Sequence, residues 1–284
     1  MTDEDPRTFK CVGILAHPQR PETFSLADQV AGWLRARDIE ATALMHWDQE
    51  HTDPSGWNLA IGIGGDGTVL RAARVCAALG VPVVGINMGR LGFLAEMSPS
   101  DWQTGLAAVL RGDYWIEERL MIEAEWSTNS DVVYREEALN EVVISRGIVA
   151  RIVEFETYID SAWTTTYRAD ALIIATPTGS TAYALAVGGP ILPPELRNLV
   201  VVPVAAHLSL DRPLVLSGNA VIEVVTHCSH QAVLTVDGRL AGQLEDGDRV
   251  TIRATGHVSR FVRTGERTYF YRSILDRMEP KSRI

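Results

Sequence analysis

A glycine-rich loop with one carboxylate at its centre is the segment of this chain most suited to chemistry. Residues 62–68 read Gly-Ile-Gly-Gly-Asp-Gly-Thr, between an apolar run typical of a strand and a segment with helical spacing. Glycines let backbone amides turn toward a phosphate, and a following helix adds its positive N-terminal end. A carboxylate would repel that phosphate, so Asp66 is expected to accept a proton or to help hold Mg²⁺.

Two other interpretations of this loop stay open at this point. Gly62, Gly64 and Gly67 satisfy the dinucleotide-binding pattern G-x-G-x-x-G, which also needs an acidic residue about 20 residues later. The sequence has no Asp or Glu between Asp66 and Glu96, so that pattern lacks its partner. The remaining alternative is a tight strand–helix turn in which Asp66 caps the helix.

Lysine usage excludes several kinds of active site. The two lysines, Lys10 and Lys281, lie near the two ends of the chain. A Walker A loop, a protein-kinase strand and a Schiff-base mechanism each need a lysine that the middle of the chain does not supply. Phosphate charge would therefore be neutralised by arginine. The candidates are Arg71, Arg74, Arg90 and Arg168.

Composition narrows the class of protein further. The formal net charge is −10, which argues against a nucleic-acid partner because such proteins usually carry a basic face. The three cysteines are far apart and have no zinc-site spacing. No apolar run approaches the roughly 18 residues of a membrane span, and the N-terminus has no signal-peptide pattern. We expect a cytoplasmic protein without a membrane partner.

The first third of the chain alternates between strand and helix patterns. This alternation favours a parallel sheet that helices cover on both faces. The predicted strands are 10–16, 58–63 and 81–86, and the predicted helices are 21–37, 68–79 and 99–110.

After Tyr114 the pattern changes to short β-rich runs separated by turn signals such as Asp237-Gly238 and Asp246-Gly247. This predicts a mainly antiparallel second domain. Its predicted strands are 116–126, 138–145, 152–158, 171–176, 199–203, 220–225, 232–236 and 249–253. The expected domains are 1–113 and 114–264. The segment 265–284 is expected to pack back on the first domain, with a short helix over 272–278.

Several motifs together resemble one family. The GGDGT loop of Gly64–Thr68 occurs in NAD kinases and in diacylglycerol and sphingosine kinases. The segment 87–96, Asn-Met-Gly-Arg-Leu-Gly-Phe-Leu-Ala-Glu, is similar to the N-x-G-x-L-G-F segment of NAD kinases. The other matching segments are Asn140-Glu141, Asp170 followed by TPTGSTAY at 176–183 and GGP at 188–190, His207 with Arg212, and Val236-Asp237-Gly238. The resemblance to the NAD kinase family spans about residues 12–278.

The resemblance implies a fold and an activity. The fold is an α/β, Rossmann-like N-terminal domain plus a β-rich, β-sandwich-like C-terminal domain. The activity is transfer of a phosphoryl group from ATP or polyphosphate to the 2′-hydroxyl of the adenosine ribose of NAD, giving NADP. Mg²⁺ or another divalent metal is the expected cofactor, carried by the donor phosphates, and a homodimer or homotetramer is the expected assembly.

The resemblance, together with the residue types, implies roles for several residues. Asp66 would act as the catalytic base. The residues that would bind the donor phosphates are Gly64, Gly65, Gly67, Thr68 and Arg71. The residues that would bind NAD are Asp66, Gly67, Phe93, Asn140, Glu141, Arg168, Asp170, Thr181, Ala182 and Tyr183.

The chain departs from the family pattern at two positions. Ala171 stands where the family usually has glycine after the aspartate, and Ala186 stands where it often has serine. Two other functions remain open. A lipid kinase could use the same GGDGT loop, and a dinucleotide-binding sensor could keep the pocket without the chemistry, although a sensor should have lost Asp66.

Overall fold

The computed structural model describes residues 9–89, 92–147, 152–207, 209–271 and 274. The chain forms two compact units. The first contains the described residues of Met1–Glu118 and Ser259–Ile284, and the second those of Arg119–Val258. The helix predicted over 272–278 lies outside the described residues except for Ile274.

A parallel sheet forms the centre of the first unit. Its strands follow the order β2-β1-β3-β4, and the end of β16 pairs with β4 in parallel at Phe261 and Val83. The middle strands are continuous apolar runs because helices cover both of their faces. The strands are β1 (Cys11–Ala16), β2 (Glu40–Leu44), β3 (Leu59–Gly64), β4 (Val83–Asn87) and β16 (Arg249–Arg263).

Among the described residues, three helices pack on this sheet: α1 (Pro21–Arg35), α2 (Asp66–Ala77) and α3 (Trp102–Leu110). Helix α1 starts with a proline, whose fixed φ suits the first helical position. Helix α3 begins at Trp102 and not at Pro99 as predicted. The Asp101 carboxylate accepts a hydrogen bond from the main-chain N–H of Ser98 at 2.6 Å, so the preceding residues form a turn.

The second unit contains two antiparallel arrays. One has the order β16-β13-β8-β9, with β5 and β6 added beside β16, and the other has the order β12-β11-β10-β7-β14-β15. A 3-10 turn at Gly179–Thr181 and the short helix α4 (Tyr183–Ala186) follow β10. The strands are β5 (Trp115–Thr128), β6 (Asp131–Ala138), β7 (Glu141–Arg146), β8 (Val153–Ile159), β9 (Ala162–Ala169), β10 (Ala171–Ala175), β11 (Asn198–Val204), β12 (Leu214–Ser217), β13 (Ile222–His227), β14 (Ala232–Val236) and β15 (Arg239–Leu244).

The core of the second unit lies between these two arrays. Phe155 and Tyr167 enter it from one array, and Ile144, Ile174 and Val201 enter it from the other. Alternate residues of each strand face this core, as in a sandwich. The predicted fold class, an α/β first domain and a β-rich second domain, is confirmed.

Candidate active site

The glycine loop joins β3 directly to α2. The main-chain N–H of Thr68 donates to the carbonyl of Gly65 at 2.9 Å, and the N–H of Met88 donates to the carbonyl of Gly64 at 2.9 Å. A Cβ atom on Gly64 would overlap the Thr68 side chain. The loop is therefore tight, and glycine at 64 is required by close approach. The Thr68 hydroxyl is buried without a hydrogen-bond partner among the described residues.

The carboxylate of Asp66 points away from the helix that it starts. One oxygen accepts a hydrogen bond from the N–H of Phe93 at 2.7 Å, and the other accepts from Leu94 at 3.3 Å. The helix cap is Gly65, and no side chain caps it. The cap interpretation of Asp66 is therefore wrong. The residue is instead held by the segment after β4, and a Cβ on Gly92 would fall on its carboxylate.

Arginine side chains lie beside this loop. The Nε of Arg71 donates to the carbonyl of Gly67 at 3.3 Å, and its guanidinium lies 5.4 Å from the ring centre of Trp47. Burial, then the charges of Arg71 and Arg20, lower the pKa of His17. Since His17 follows β1, these groups lie at the carboxyl end of the sheet, where ligands of parallel α/β sheets bind. Arg90 lies outside the described residues.

In the second unit, one carboxylate organises the turn before β7. Asp237 accepts hydrogen bonds from three consecutive main-chain N–H groups, those of Leu139 at 2.9 Å, Asn140 at 2.8 Å and Glu141 at 3.0 Å. Asp237 and Gly238 have φ values of +47° and +74°, as in a type I′ hairpin turn. The β14–β15 hairpin therefore holds Asn140 and Glu141 in place.

Glu141 is a buried carboxyl whose Oε2 has no hydrogen-bond partner among the described residues. Burial, and then the charge of Asp237, raise its pKa to about 8. An unpaired buried carboxyl is costly for the free protein. A ligand with hydroxyl donors would remove that cost, so the arrangement is suited to recognising a diol.

The segment 176–183 packs against the same turn. The N–H of Thr176 donates to the carbonyl of Asn140 at 2.9 Å, and a Cβ on Gly179 would overlap that carbonyl. The hydroxyl of Ser180 donates to the carbonyl of Pro177 and also accepts the N–H of Leu192. The hydroxyl of Thr178, like that of Thr68, is buried and has no hydrogen-bond partner among the described residues.

Two predicted residues, Arg168 and Asp170, lie elsewhere in this unit. Glu141 pairs with Ala175, the last residue of β10, whereas Asp170 precedes its first residue. At about 3.4 Å per residue this places Asp170 roughly 17 Å along the strand from Glu141. Asp170 forms an ion pair with Arg146 at 3.0 Å, and Arg168 forms one with Glu154 at 2.9 Å.

The last residue of the 3-10 turn and the two residues after it are also predicted to bind NAD. The hydroxyl of Thr181 donates to the carbonyl of Thr178 at 3.0 Å. Ala182 is half-buried, and Tyr183, the first residue of α4, has an exposed ring. His207 is exposed, and its N–H donates to the carbonyl of Arg168.

Comparisons with known proteins decide the family. The model of the ATP-NAD kinase N-terminal domain matches residues 46–114, and that of the ATP-NAD kinase C-terminal domain matches residues 139–264. An NAD kinase of Chloroflexus aggregans is 40% identical over 271 residues, which cover 94% of this chain and 98% of the relative. The chain belongs to the NAD kinase family. An NAD kinase of Syntrophotalea carbinolica is 39% identical over 273 residues, covering 92% of this chain and 96% of the relative.

Solved structures of NAD kinases share the fold. A yeast NADH kinase complexed with NADH has a TM-score of 0.83 and 22% identity, covering 98% of this chain and 90% of that one. An NAD kinase from Archaeoglobus fulgidus in complex with ATP has a TM-score of 0.74 and 24% identity, covering 94% of this chain and 98% of that one. The predicted NAD kinase family is thus confirmed, and a lipid kinase is no longer a candidate.

The structure also reveals residues that the NAD kinase motifs did not single out for a role. Asp237 was predicted as part of a turn, but its contacts with Leu139–Glu141 depend on a partner about a hundred residues away. Arg263 is fully buried and contacts the carbonyls of Phe93 and Leu94. No local pattern signals either contact. None of the helices in the described parts of the chain is long and apolar enough to span a membrane.

Proposed function

We propose that this protein is an NAD kinase that transfers a phosphoryl group from ATP or polyphosphate to the 2′-hydroxyl of the adenosine ribose of NAD, giving NADP. The observation that carries the proposal is the Asp66 carboxylate, fixed by two main-chain amides beside the glycine loop. The relatives' assignment as NAD kinases, and the NADH and the ATP with which the two solved structures are complexed, support the acceptor and the donor.

Asp66 is the proposed catalytic base. It accepts the proton of the 2′-hydroxyl while the ribose oxygen forms a bond to the terminal phosphorus of the donor. The bond from that phosphorus to the bridging oxygen breaks, which releases ADP or a polyphosphate shortened by one unit. The hydrogen bonds that Phe93 and Leu94 donate to Asp66 fix the orientation of its carboxylate before substrate arrives. A base that is already positioned accelerates the reaction in this way.

The donor phosphates are proposed to bind at the loop that starts α2. Gly64, Gly65 and Gly67 leave the main chain open to close approach, and the positive end of a twelve-residue helix faces the ligand. Thr68 contributes its unpaired hydroxyl. Arg71 contributes charge, in place of the lysine that a Walker A loop would use.

The NAD subsite is proposed to centre on Asn140 and Glu141. The carboxyl of Glu141 accepts hydrogen bonds from the hydroxyl groups of a ribose, and the amide of Asn140 is suited to a base edge. Both belong to a turn that Asp237 holds in place. The other residues proposed to bind NAD are Asp66, Gly67, Phe93, Arg168, Asp170, Thr181, Ala182 and Tyr183.

A divalent metal, Mg²⁺ or another, is proposed to arrive with the donor phosphates. The described residues contain no group of three His, Cys, Asp or Glu side chains that could hold a metal. In kinases, Mg²⁺ is bound largely by phosphates and water with one or two carboxylates. When bound, the ion would neutralise charge on the donor phosphates, and Asp66 would be a carboxylate suited to hold it.

The assembly and the compartment are also proposals. We propose a cytoplasmic homodimer or homotetramer, from the resemblance to the family. Light scattering coupled to size-exclusion chromatography measures the subunit number directly. A monomer at micromolar concentration would contradict the proposed assembly but leave the proposed reaction intact.

The first test is the reaction itself. Purified protein is incubated with NAD, Mg²⁺ and either ATP or polyphosphate, and NADP is measured with an NADP-specific dehydrogenase. NADP formation supports the proposal, and the donor that works identifies the donor. NAD binding by calorimetry without NADP from either donor would overturn it and favour a dinucleotide sensor.

A further inference from the structure

A buried arginine lies behind the segment that holds Asp66. Arg263, the last residue of β16, is 1% exposed. Its Nη2 donates to the carbonyl of Phe93 at 3.3 Å, and its Nη1 donates to the carbonyl of Leu94 at 3.2 Å. The same two residues donate their N–H groups to the Asp66 carboxylate.

One peptide group makes both of these contacts. The carbonyl of Phe93 and the N–H of Leu94 belong to a single planar unit, and in a trans peptide the two groups point in opposite directions. Arg263 binds one side of this unit and Asp66 binds the other, at 3.3 Å in each case. A rotation of the peptide that broke one contact would break the other.

The guanidinium is itself fixed by carboxylates. Its Nε donates to Glu117 at 2.7 Å and its Nη1 donates to Glu96 at 3.1 Å. The hydroxyl of Tyr269 donates to Glu117, and the Arg263 guanidinium lies 4.8 Å from the Tyr269 ring centre. Burial alone lowers the pKa of Arg263, but the carboxylates outweigh it and hold that pKa above its usual range. The guanidinium of Arg263 is therefore always charged, and its orientation is fixed.

A lone buried salt bridge contributes little net stability compared with apolar packing. Here the fork of the guanidinium is also used to bind two main-chain carbonyls next to the proposed base. We propose that Arg263 is a positioning residue for phosphoryl transfer, which aligns the Asp66 carboxylate through the peptide between Phe93 and Leu94. This rests on the proposed role of Asp66, and Arg263 itself touches no reacting atom.

The test starts with Arg263→Lys, which keeps the charge but cannot donate to two carbonyls and two carboxylates from one rigid fork. We expect kcat for NADP formation to fall about tenfold, with KM for NAD and for the donor changed less than about twofold. The control is Arg253→Lys, the same substitution at an arginine that also pairs with two carboxylates, Glu123 and Glu125. The control should leave kcat unchanged.

A double-mutant cycle separates positioning from general destabilisation. If Arg263 acts through Asp66, Arg263→Lys in an Asp66→Asn background should lower the residual kcat by less than about twofold, because the group that it aligns is gone. An equal loss in both backgrounds, or an unchanged kcat for folded Arg263→Lys, overturns the proposal.

Hydrogen exchange supplies a readout that does not depend on activity. The amides of Phe93 and Leu94 should exchange faster in Arg263→Lys than in the parent, and no faster in Arg253→Lys. Unchanged exchange at these amides overturns the proposal even if the parent makes NADP. Faster exchange in Arg263→Lys, together with a parent that makes no NADP, contradicts the kinase assignment alone. If Arg263→Lys does not fold, the charge-balanced pair Arg263→Gln with Glu117→Gln replaces it with the same expected results.

Discussion

The Oδ2 atom of Asp66 lies 2.7 Å from the main-chain nitrogen of Phe93, a residue 27 positions later in the chain. This contact joins the glycine loop after β3 to the segment after β4. The two strands are parallel neighbours, so their carboxyl ends meet at one edge of the sheet. The Asp66 carboxylate therefore does not cap helix α2 but lies beside the glycine loop. This is the geometry that the proposed chemistry needs.

Replacing Asp66 with asparagine tests the proposed base. An amide is nearly the same size but cannot accept the hydroxyl proton, so kcat for NADP formation should fall about 10²–10⁴-fold. Steady-state kinetics with NAD and the donor measure this change. Asp53→Asn is the matched control, because among the described residues the Asp53 side chain accepts hydrogen bonds only from Ser55, in its own turn. A loss below about tenfold in Asp66→Asn would assign the proton transfer to another group.

Gly92→Ala tests whether the position of the carboxylate matters. The new Cβ would overlap Asp66, so either the carboxylate or the 92–94 segment must move. We expect kcat to fall by at least about tenfold, since small displacements of a base are costly. Gly56→Ala, where a Cβ meets open space, should leave the rate unchanged. A fully active Gly92→Ala enzyme would show that the contact between Asp66 and Phe93 is dispensable.

Thr68→Val separates stability from donor binding. The Thr68 hydroxyl is buried and unpaired among the described residues, and such a group costs about 1–3 kcal/mol when it is left without a partner. In urea denaturation, the free energy of unfolding of the valine variant should therefore equal that of the parent or exceed it by up to about 1 kcal/mol. If the hydroxyl binds donor phosphate, KM for the donor should rise. An unchanged donor KM would remove Thr68 from the site.

Gly179→Ala tests the proposed NAD subsite of the second unit. Its Cβ would overlap the carbonyl of Asn140 and push the turn that carries Asn140 and Glu141. We expect the Kd for NAD, measured by calorimetry, to rise about tenfold or more. Gly256→Ala, with open space around the new Cβ, is the control. Equal NAD affinity in the two variants would argue that this turn does not contact NAD.

The raised pKa of Glu141 predicts how stability depends on pH. Burial, and then Asp237, raise this pKa to about 8, whereas an unfolded chain has a glutamate pKa of about 4.3. Between these values the folded protein keeps a proton that the unfolded chain has lost, so this contribution to stability is complete at low pH and is lost as pH rises. Relative to Glu141→Gln, the parent should lose unfolding free energy from roughly pH 5 to pH 8 and then change in parallel.

The same ionisation should control NAD affinity. A ribose diol donates hydrogen bonds best to an ionised carboxylate. NAD affinity of the parent should therefore increase up to about pH 8, and Glu141→Gln should bind more weakly without that increase. Glu245→Gln, at an exposed position, should behave as the parent does. The same pH profile in Glu141→Gln would assign the titration to another group.

The elements that sequence patterns missed share one property. Strands β2, β6, β9, β12 and β15 were not predicted, and all five lie at an edge of their arrays. An edge strand packs and pairs on fewer sides than a central one, so polar and charged residues are tolerated there and the apolar pattern is weak. Central strands such as β3 and β10 are buried throughout, and their continuous apolar runs were recognised.

The sequence by itself determined the family, the two-part fold class and the candidate residues in the glycine loop, because these depend on residue types at short, regular spacing. The roles of those candidates stay predictions. Only the tertiary structure decided that Asp66 is held by Phe93 and Leu94, that Asp237 holds Asn140, and that Arg263 lies behind the same peptide. These contacts join residues from 27 to 170 positions apart, and a hydrogen bond forms only after packing has brought donor and acceptor within about 3 Å.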